Sequence, residues 1–270
     1  MTTIIFSSIA MLLYLLTAGW LGYHVFKLQL DASELKIKII TVGGIALLLH
    51  ALVLYQGIIT DVGLNLGFYN ALSLISWLVA LLVVCVAMIR PVENLTVVFL
   101  PAAALALFLE LIFPTQHILS DSNTIGLRMH ILLSITAYSL LAIAALQAII
   151  LAIQEQQLHN KHPVRIMQRL PPMQTMEALL MQMIAIGFFL LSLSLATGLM
   201  FLHDIFAQHL VHKIFLSSLA WLIFALVLWG RWALGWRGKK LIRWILGGFI
   251  SLMLAYFGSK LVLELILHRI

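Results

Sequence analysis

The sequence predicts an all-α integral membrane protein, a single polytopic bundle of about eight transmembrane helices spanning residues 1–270, with both termini on the outer side. Three observations carry this. Of 270 residues, 63% are hydrophobic and 10% charged, with a mean hydropathy of +1.10, whereas a soluble domain carries about 25% charged residues. The apolar runs last about 20 residues, the length that crosses a hydrocarbon core as a helix, and lack the period-two alternation of a membrane barrel strand. Lys and Arg divide unevenly between alternate connections, the signal that sets orientation.

The first span, 4–26, has no Lys or Arg before it; a cleavable signal peptide normally needs that charge, so a retained helix is expected. The second, 37–58, carries His50 within the run Leu47-Leu48-Leu49-His50-Ala51-Leu52. The third, 66–89, holds Cys85, the sole cysteine. No internal disulfide or Cys-x-x-Cys-His attachment site is therefore available, and any haem would be held without a thioether bond. The fourth, 94–113, contains Glu110 near its end, and the fifth, 127–153, opens on Arg128-Met129-His130.

Connections are short except for 154–177, which includes His159, Lys161, His162, Arg165, Arg169 and the pair Pro171-Pro172. That composition predicts a surface loop with a short interfacial helix. The sixth span, 178–202, closes on Leu202-His203-Asp204, and the seventh is 213–233. The eighth, 241–267, contains Lys260 and Glu264, an i, i+4 pair of opposite charge whose members neutralise each other. The sequence shows no separate soluble domain and no internal repeat.

Placing the N-terminus outside puts Lys27, Lys36, Lys38, Arg90, Lys161, Arg165, Arg169, Arg231, Arg237, Lys239, Lys240 and Arg243 inside, 12 of the 16 basic residues. The net charge of +6 thus reports orientation and contact with membrane lipid, and gives no reason to expect nucleic acid as a partner. Trp229, Trp232, Trp236 and Trp244 lie among the inner basic residues, as an aromatic belt does.

Ten histidines supply the chemistry-bearing side chains. His50 lies about eight residues, or ~12 Å, inside the second span. An imidazole at that depth must face the bundle and find a partner: it is either a ligand or proton-handling group or an interhelical hydrogen-bonding strut. His130 and His203 end consecutive spans at one face. They fit either axial ligation of haem iron, which neighbouring helices supply in bundles, or residence in the headgroup layer. His209 and His212, spaced i, i+3 after His203 and Asp204, would also allow a Zn or Cu site.

The second half carries an ordered series of motifs: His130-Ile-Leu-Leu-Ser-Ile-Thr-Ala-Tyr138, Leu170-Pro-Pro-Met, Ile186-Gly187-Phe188, Thr197-Gly198, His212-Lys213 with Ala220-Trp221, Trp229-Gly-Arg231, Gly235-Trp-Arg-Gly238 and Ala255-Tyr-Phe-Gly258. In this order and spacing the chain resembles the cytochrome c assembly family of the CcsA and CcmC type, in its short HemX-like branch. The resemblance is clearest over 128–262.

It implies a bacterial inner-membrane bundle that binds haem b and serves cytochrome c assembly together with other assembly components or apocytochrome. His130 matches the family's outer histidine, His50 stands as the counterpart of an intramembrane one, and His212 and His268 are further outer candidates. Two departures matter. The tryptophan-rich haem-presenting loop is replaced by His203-Asp-Ile-Phe-Ala-Gln-His-Leu-Val-His-Lys213, and Leu228-Trp229-Gly230-Arg231 stands where the family has Leu-His-x-Arg.

With no evident catalytic constellation, the expected role is haem binding as an accessory factor in place of lyase chemistry. Two alternatives remain at this point: a proton- or metal-ion-linked transporter or its subunit, and a membrane scaffold without haem.

Overall fold

A computed structural model describes residues 2–27, 36–61, 63–89, 93–115, 117–119, 125–159, 171–201, 211–258 and 261. Among them are eight helices long and apolar enough to cross a membrane. The chain divides into two compact units, the first within residues 1–120 and the second drawn from 121–162 and 172–270.

The first unit contains α1 (Thr2–Lys27), α2 (Gly44–Ile58), α3 (Phe68–Ile89) and α4 (Glu93–Ile112). A π-helical turn at Ile39–Gly43 leads into α2. Helix α1 packs on α4 and α2, and α3 packs on α4 and α2. Pro101 sits inside α4, an interruption that membrane helices tolerate when neighbours re-satisfy the freed carbonyl.

A small antiparallel sheet, which the sequence did not announce, joins the ends of α2, α3 and α4. Its strands are β1 (Ile59–Thr60), β2 (Gly63–Asn65) and β3 (Ile118–Leu119), in that order. Ile59 pairs with Leu64, and Leu64 in turn with Leu119. Asn65 fastens it: its Oδ1 accepts from the backbone N–H of His117 (2.9 Å) and Gly67 (3.3 Å), while Nδ2 donates to the Thr115 carbonyl (3.3 Å).

The second unit contains α5 (Ile125–His159), α6 (Met173–Phe201), α7 (Val211–Ala233) and α8 (Gly238–Met253), the last running on as a π-helical turn at Leu254–Gly258. Here α5 packs along α6 and α8, and α7 along α8 and α6. Two glycines set the closest approaches. A Cβ on Gly187 would stand 2.7 Å from Leu141 Cδ2, and one on Gly248 would stand 3.0 Å from Ile223 Cγ2.

The long connection is shorter than the sequence suggested. Helix α5 continues to His159, because Gln154-Glu155-Gln156-Gln157 are polar yet good helix formers. Helix α6 begins at Met173, its first turn closing onto the Pro172 carbonyl. The loop and interfacial helix expected at 154–177 are thereby confined to residues 160–170, which lie outside the described ones.

Each unit is apolar outward as well as inward. Leu12, Leu48, Leu132 and Phe189 are all more than half exposed, which suits a surface that meets lipid and would be a liability in water.

Candidate functional site

In the first unit the polar atoms are gathered at His50, which is fully buried. Its Nε2 lies 2.9 Å from the Ser73 hydroxyl and its Nδ1 3.3 Å from the Tyr14 hydroxyl. The Tyr14 ring meets the imidazole edge-on at 5.9 Å. Ser73 is also the hydrogen-bonding neighbour of the Glu110 carboxyl, in a looser contact than its bond to His50. Tyr14, His50, Ser73 and Glu110 therefore form one polar line, with each of the four helices contributing one residue. Apolar side chains seal it: Ala10, Val53 and Leu107 form one cluster, and Leu47, Ala80 and Leu100 belong to another.

In the second unit His130 rests on α6. A Cβ on Gly198 would lie 3.0 Å from His130 Cε1 and 3.3 Å from Nδ1, so only glycine lets the ring lie this close. Nδ1 is 2.9 Å from the Ser194 carbonyl oxygen. A carbonyl can only accept, so in the neutral ring the proton is on Nδ1 and Nε2 keeps its lone pair. The atom nearest that lone pair is the Ser134 hydroxyl at 3.5 Å, the outer limit of an interaction. That hydroxyl is also engaged with the Ser194 hydroxyl at 2.7 Å and with the His130 carbonyl.

The other motif residues serve the packing of this unit. Tyr138 is buried against Phe249, Tyr256 and Phe257, with ring centroids 5.6–6.1 Å away. Trp221 stacks on Phe188 and donates its indole N–H to the Ser192 hydroxyl at 2.8 Å. Gly230 leaves room for the Trp236 indole, which an added Cβ would approach to 2.5 Å. Arg231 donates to the Trp236 carbonyl and pairs with Glu177 at 2.8 Å. Gly235 and Gly238 adopt φ values of +64° and +56°, in the left-handed region that glycine occupies without strain.

The chain matches the model of the Cytochrome C assembly protein family over residues 39–267. It belongs to that family. The match takes in most of the first unit and the second from its start through α8. Inner membrane protein YpjD of Escherichia coli K12 is 36% identical over 224 residues, covering 82% of this chain and 85% of that protein. The "Uncharacterized 28.8 kDa protein in nifR3-like 5'region" of Azospirillum brasilense is 28% identical over 156 residues, 57% of this chain and 58% of its own length. A search of solved structures finds no match.

Of the histidines singled out from the sequence, His50 and His130 have defined surroundings, one in each unit. His212 is exposed in the first turn of α7. His203, His209 and His268 lie outside the described residues, as do Lys260 and Glu264. Among the described residues no group of three or more His, Cys, Asp or Glu side chains gathers as a metal site. Sequence reasoning missed the partners. Tyr14, Ser73 and Glu110 show no local spacing to His50, and the Ser194 acceptor is a backbone atom without a sequence signature. Gly198 alone left a trace, in the Thr197-Gly198 motif.

Proposed function

We propose that this chain is a haem b-binding accessory protein of cytochrome c assembly in the bacterial inner membrane, with His130 as an axial ligand of the iron. Family membership ties the chain to cytochrome c biogenesis, and the YpjD relative's name places that protein in an inner membrane. The single observation that carries the ligand assignment is the Nδ1–H to carbonyl bond of His130. Metal-binding histidines almost always donate their second ring nitrogen to a carboxylate, carbonyl or water, which orients the ring and makes the ligating nitrogen more basic.

Bound haem would supply the iron–porphyrin that assembly delivers to apocytochrome; the chain's own residues bind and orient it. Gly198 gives the ring its bed, the Ser194 carbonyl fixes its tautomer, and Ser134 stands beside Nε2. His203, His212 and His268 remain the proposed sources of a second axial ligand. His50 is assigned elsewhere, because both its ring nitrogens are already engaged by hydroxyls. An accessory role follows from the missing tryptophan-rich loop. Other assembly components, apocytochrome and membrane lipid are the partners this reading requires.

Absorption spectra of the detergent-purified protein, oxidised and reduced, test the proposal alongside metal analysis. A Soret band with haem b absorptions that His130→Ala removes or shifts is the expected result. Bound zinc or copper without haem would point to ion handling, and neither to a scaffold. Full haem content with an unchanged spectrum in His130→Ala would move the ligand to another histidine.

A further inference from the structure

We propose that Glu110, Ser73 and His50 form an intramembrane proton relay that stores one proton between the carboxyl and the imidazole. This is independent of the haem reading, which concerns His130 in the other unit. Glu110 is 9% exposed, yet its Oε2 is buried without a hydrogen-bond partner. Gly57 is what admits it: a Cβ there would lie 3.3 Å from Glu110 Oε1. A lone carboxylate in such a place would be strongly disfavoured, since a buried charge needs a counter-charge or a full set of donors. The proton that neutralises it has one polar route into the unit, through Ser73 to His50.

The groups facing His50 are Tyr14 from α1, Ser73 from α3 and, through Ser73, Glu110 from α4. The remaining titratable groups described on these helices lie apart. Tyr23 and Tyr55 are more than half exposed, Cys85 is exposed and Tyr69 stacks on Phe113. His24 sits between the Trp20 and Tyr23 rings, Lys38 lies over Trp20, and Lys36 stands at the start of the second span. No fixed charge among the described residues therefore faces the line to trap the proton at one end.

The transfer conserves both atoms and charge. In the neutral form Glu110 carries O–H towards Ser73, Ser73 O–H points to His50 Nε2, and Nδ1–H points to the Tyr14 oxygen. The Glu110 O–H bond breaks as its proton joins Ser73 Oγ. The Ser73 O–H bond breaks as that proton joins Nε2, and the Glu110 electron pair stays on the carboxylate. The product is a carboxylate and an imidazolium bridged by a hydroxyl, with no net charge and no change of oxidation state. Tyr14 accepts from Nδ1–H in both forms, so the ring need not turn. Proton exchange with water takes place at the Glu110 end, where α2, α3 and α4 meet the small sheet.

Infrared difference spectra of the full chain in phosphatidylcholine vesicles, recorded across a pH series in H2O and D2O, test the relay. The wild type should show a deuterium-sensitive protonated-carboxyl band that Glu110→Gln abolishes, rising and falling in step with an imidazolium marker that His50→Gln abolishes. His50→Gln should shift the midpoint of the carboxyl band by more than about one pH unit, the interaction at which two groups titrate as a pair. Ser73→Ala should keep both bands and let them titrate separately. Glutamine is close in size to both residues it replaces, so these variants preserve packing; retained helicity and a single species on gel filtration verify it. Carboxyl midpoints in His50→Gln and Ser73→Ala that superimpose on the wild type would overturn the proposal. So would a wild-type spectrum that Glu110→Gln leaves unchanged at every pH.

Discussion

Replacing Gly198 by alanine separates the holding of His130 from the packing of its helix. A methyl at that position would lie 3.0 Å from Cε1 and 3.3 Å from Nδ1, against about 3.5–4.0 Å for relaxed contact between carbon atoms. The ring must retreat by about 0.5–1 Å. Its bond to the Ser194 carbonyl is 2.9 Å long, so a retreat of that size carries it past the ~3.2 Å range of ordinary N–H···O bonds. Losing one such bond costs about 0.5–1.5 kcal/mol. Alanine in place of glycine within a helix returns about 1 kcal/mol. The two nearly cancel, so the thermal midpoint should hardly move. Haem affinity should not share in the cancellation, because loss of a ligand's outer hydrogen-bond partner weakens metal binding by about 10–100-fold. Titration of haem into the purified apoprotein, followed by absorbance beside thermal melting, reads both effects. Unchanged affinity with an unchanged reduced spectrum would refute the claim that this bond holds the ring. A lowered melting point with full affinity would reduce Gly198 to a packing device.

Three further outcomes are expected. Gly230→Ala places a methyl 2.5 Å from Trp236 Cδ2 and 2.6 Å from Cε3; a rigid indole yields poorly, so thermal unfolding should show a loss of about 1–3 kcal/mol, and an unaltered midpoint would show that the turn can open to accommodate it. Asn65→Ala leaves the N–H groups of Gly67 and His117 without their shared acceptor; a cost of about 1–3 kcal/mol should appear with faster hydrogen exchange at His117, and wild-type protection there would rule out its role as the sheet's fastener. Alkaline phosphatase fusions should be inactive within 154–177 and active after Ile270, because 12 of 16 basic residues then lie inside; the reverse pattern inverts every assignment of faces.

The helices were legible because a membrane span announces itself as an uninterrupted apolar run. Their ends were less so. At residues 154–157 hydropathy falls while helix propensity stays high, so α5 outlasts the apolar run that predicted it. The sheet was invisible because strands of two or three residues carry no periodicity. His50 stood out as an imidazole among leucines, but its partners come from three other helices, and one chain without an alignment offers no signal that Ser73 rather than Ser76 faces it. Arg231 looked like an interfacial anchor; its partner Glu177 lies 54 residues earlier, a separation across which no local pattern reports a pair. The Trp229-Gly-Arg231 and Gly235-Trp-Arg-Gly238 motifs were recognisable as strings, and only the folded turn shows why: each glycine admits a particular neighbour, Trp236 or Glu155.

That long separation between Glu177 and Arg231 orders the biogenesis of the second unit. The α7–α8 turn can close locally, through the Trp236 amide on the Gly230 carbonyl, as soon as both its sides have left the ribosome. The guanidinium joins that turn to α6, whose beginning was synthesised some fifty residues sooner. Glu177 therefore waits at the membrane boundary as an unpaired carboxylate until the seventh span has been inserted. A mutation there would spare the helices while they are being made and show itself late, as a hairpin that inserts normally and then docks slowly, leaving time for membrane proteases to find it.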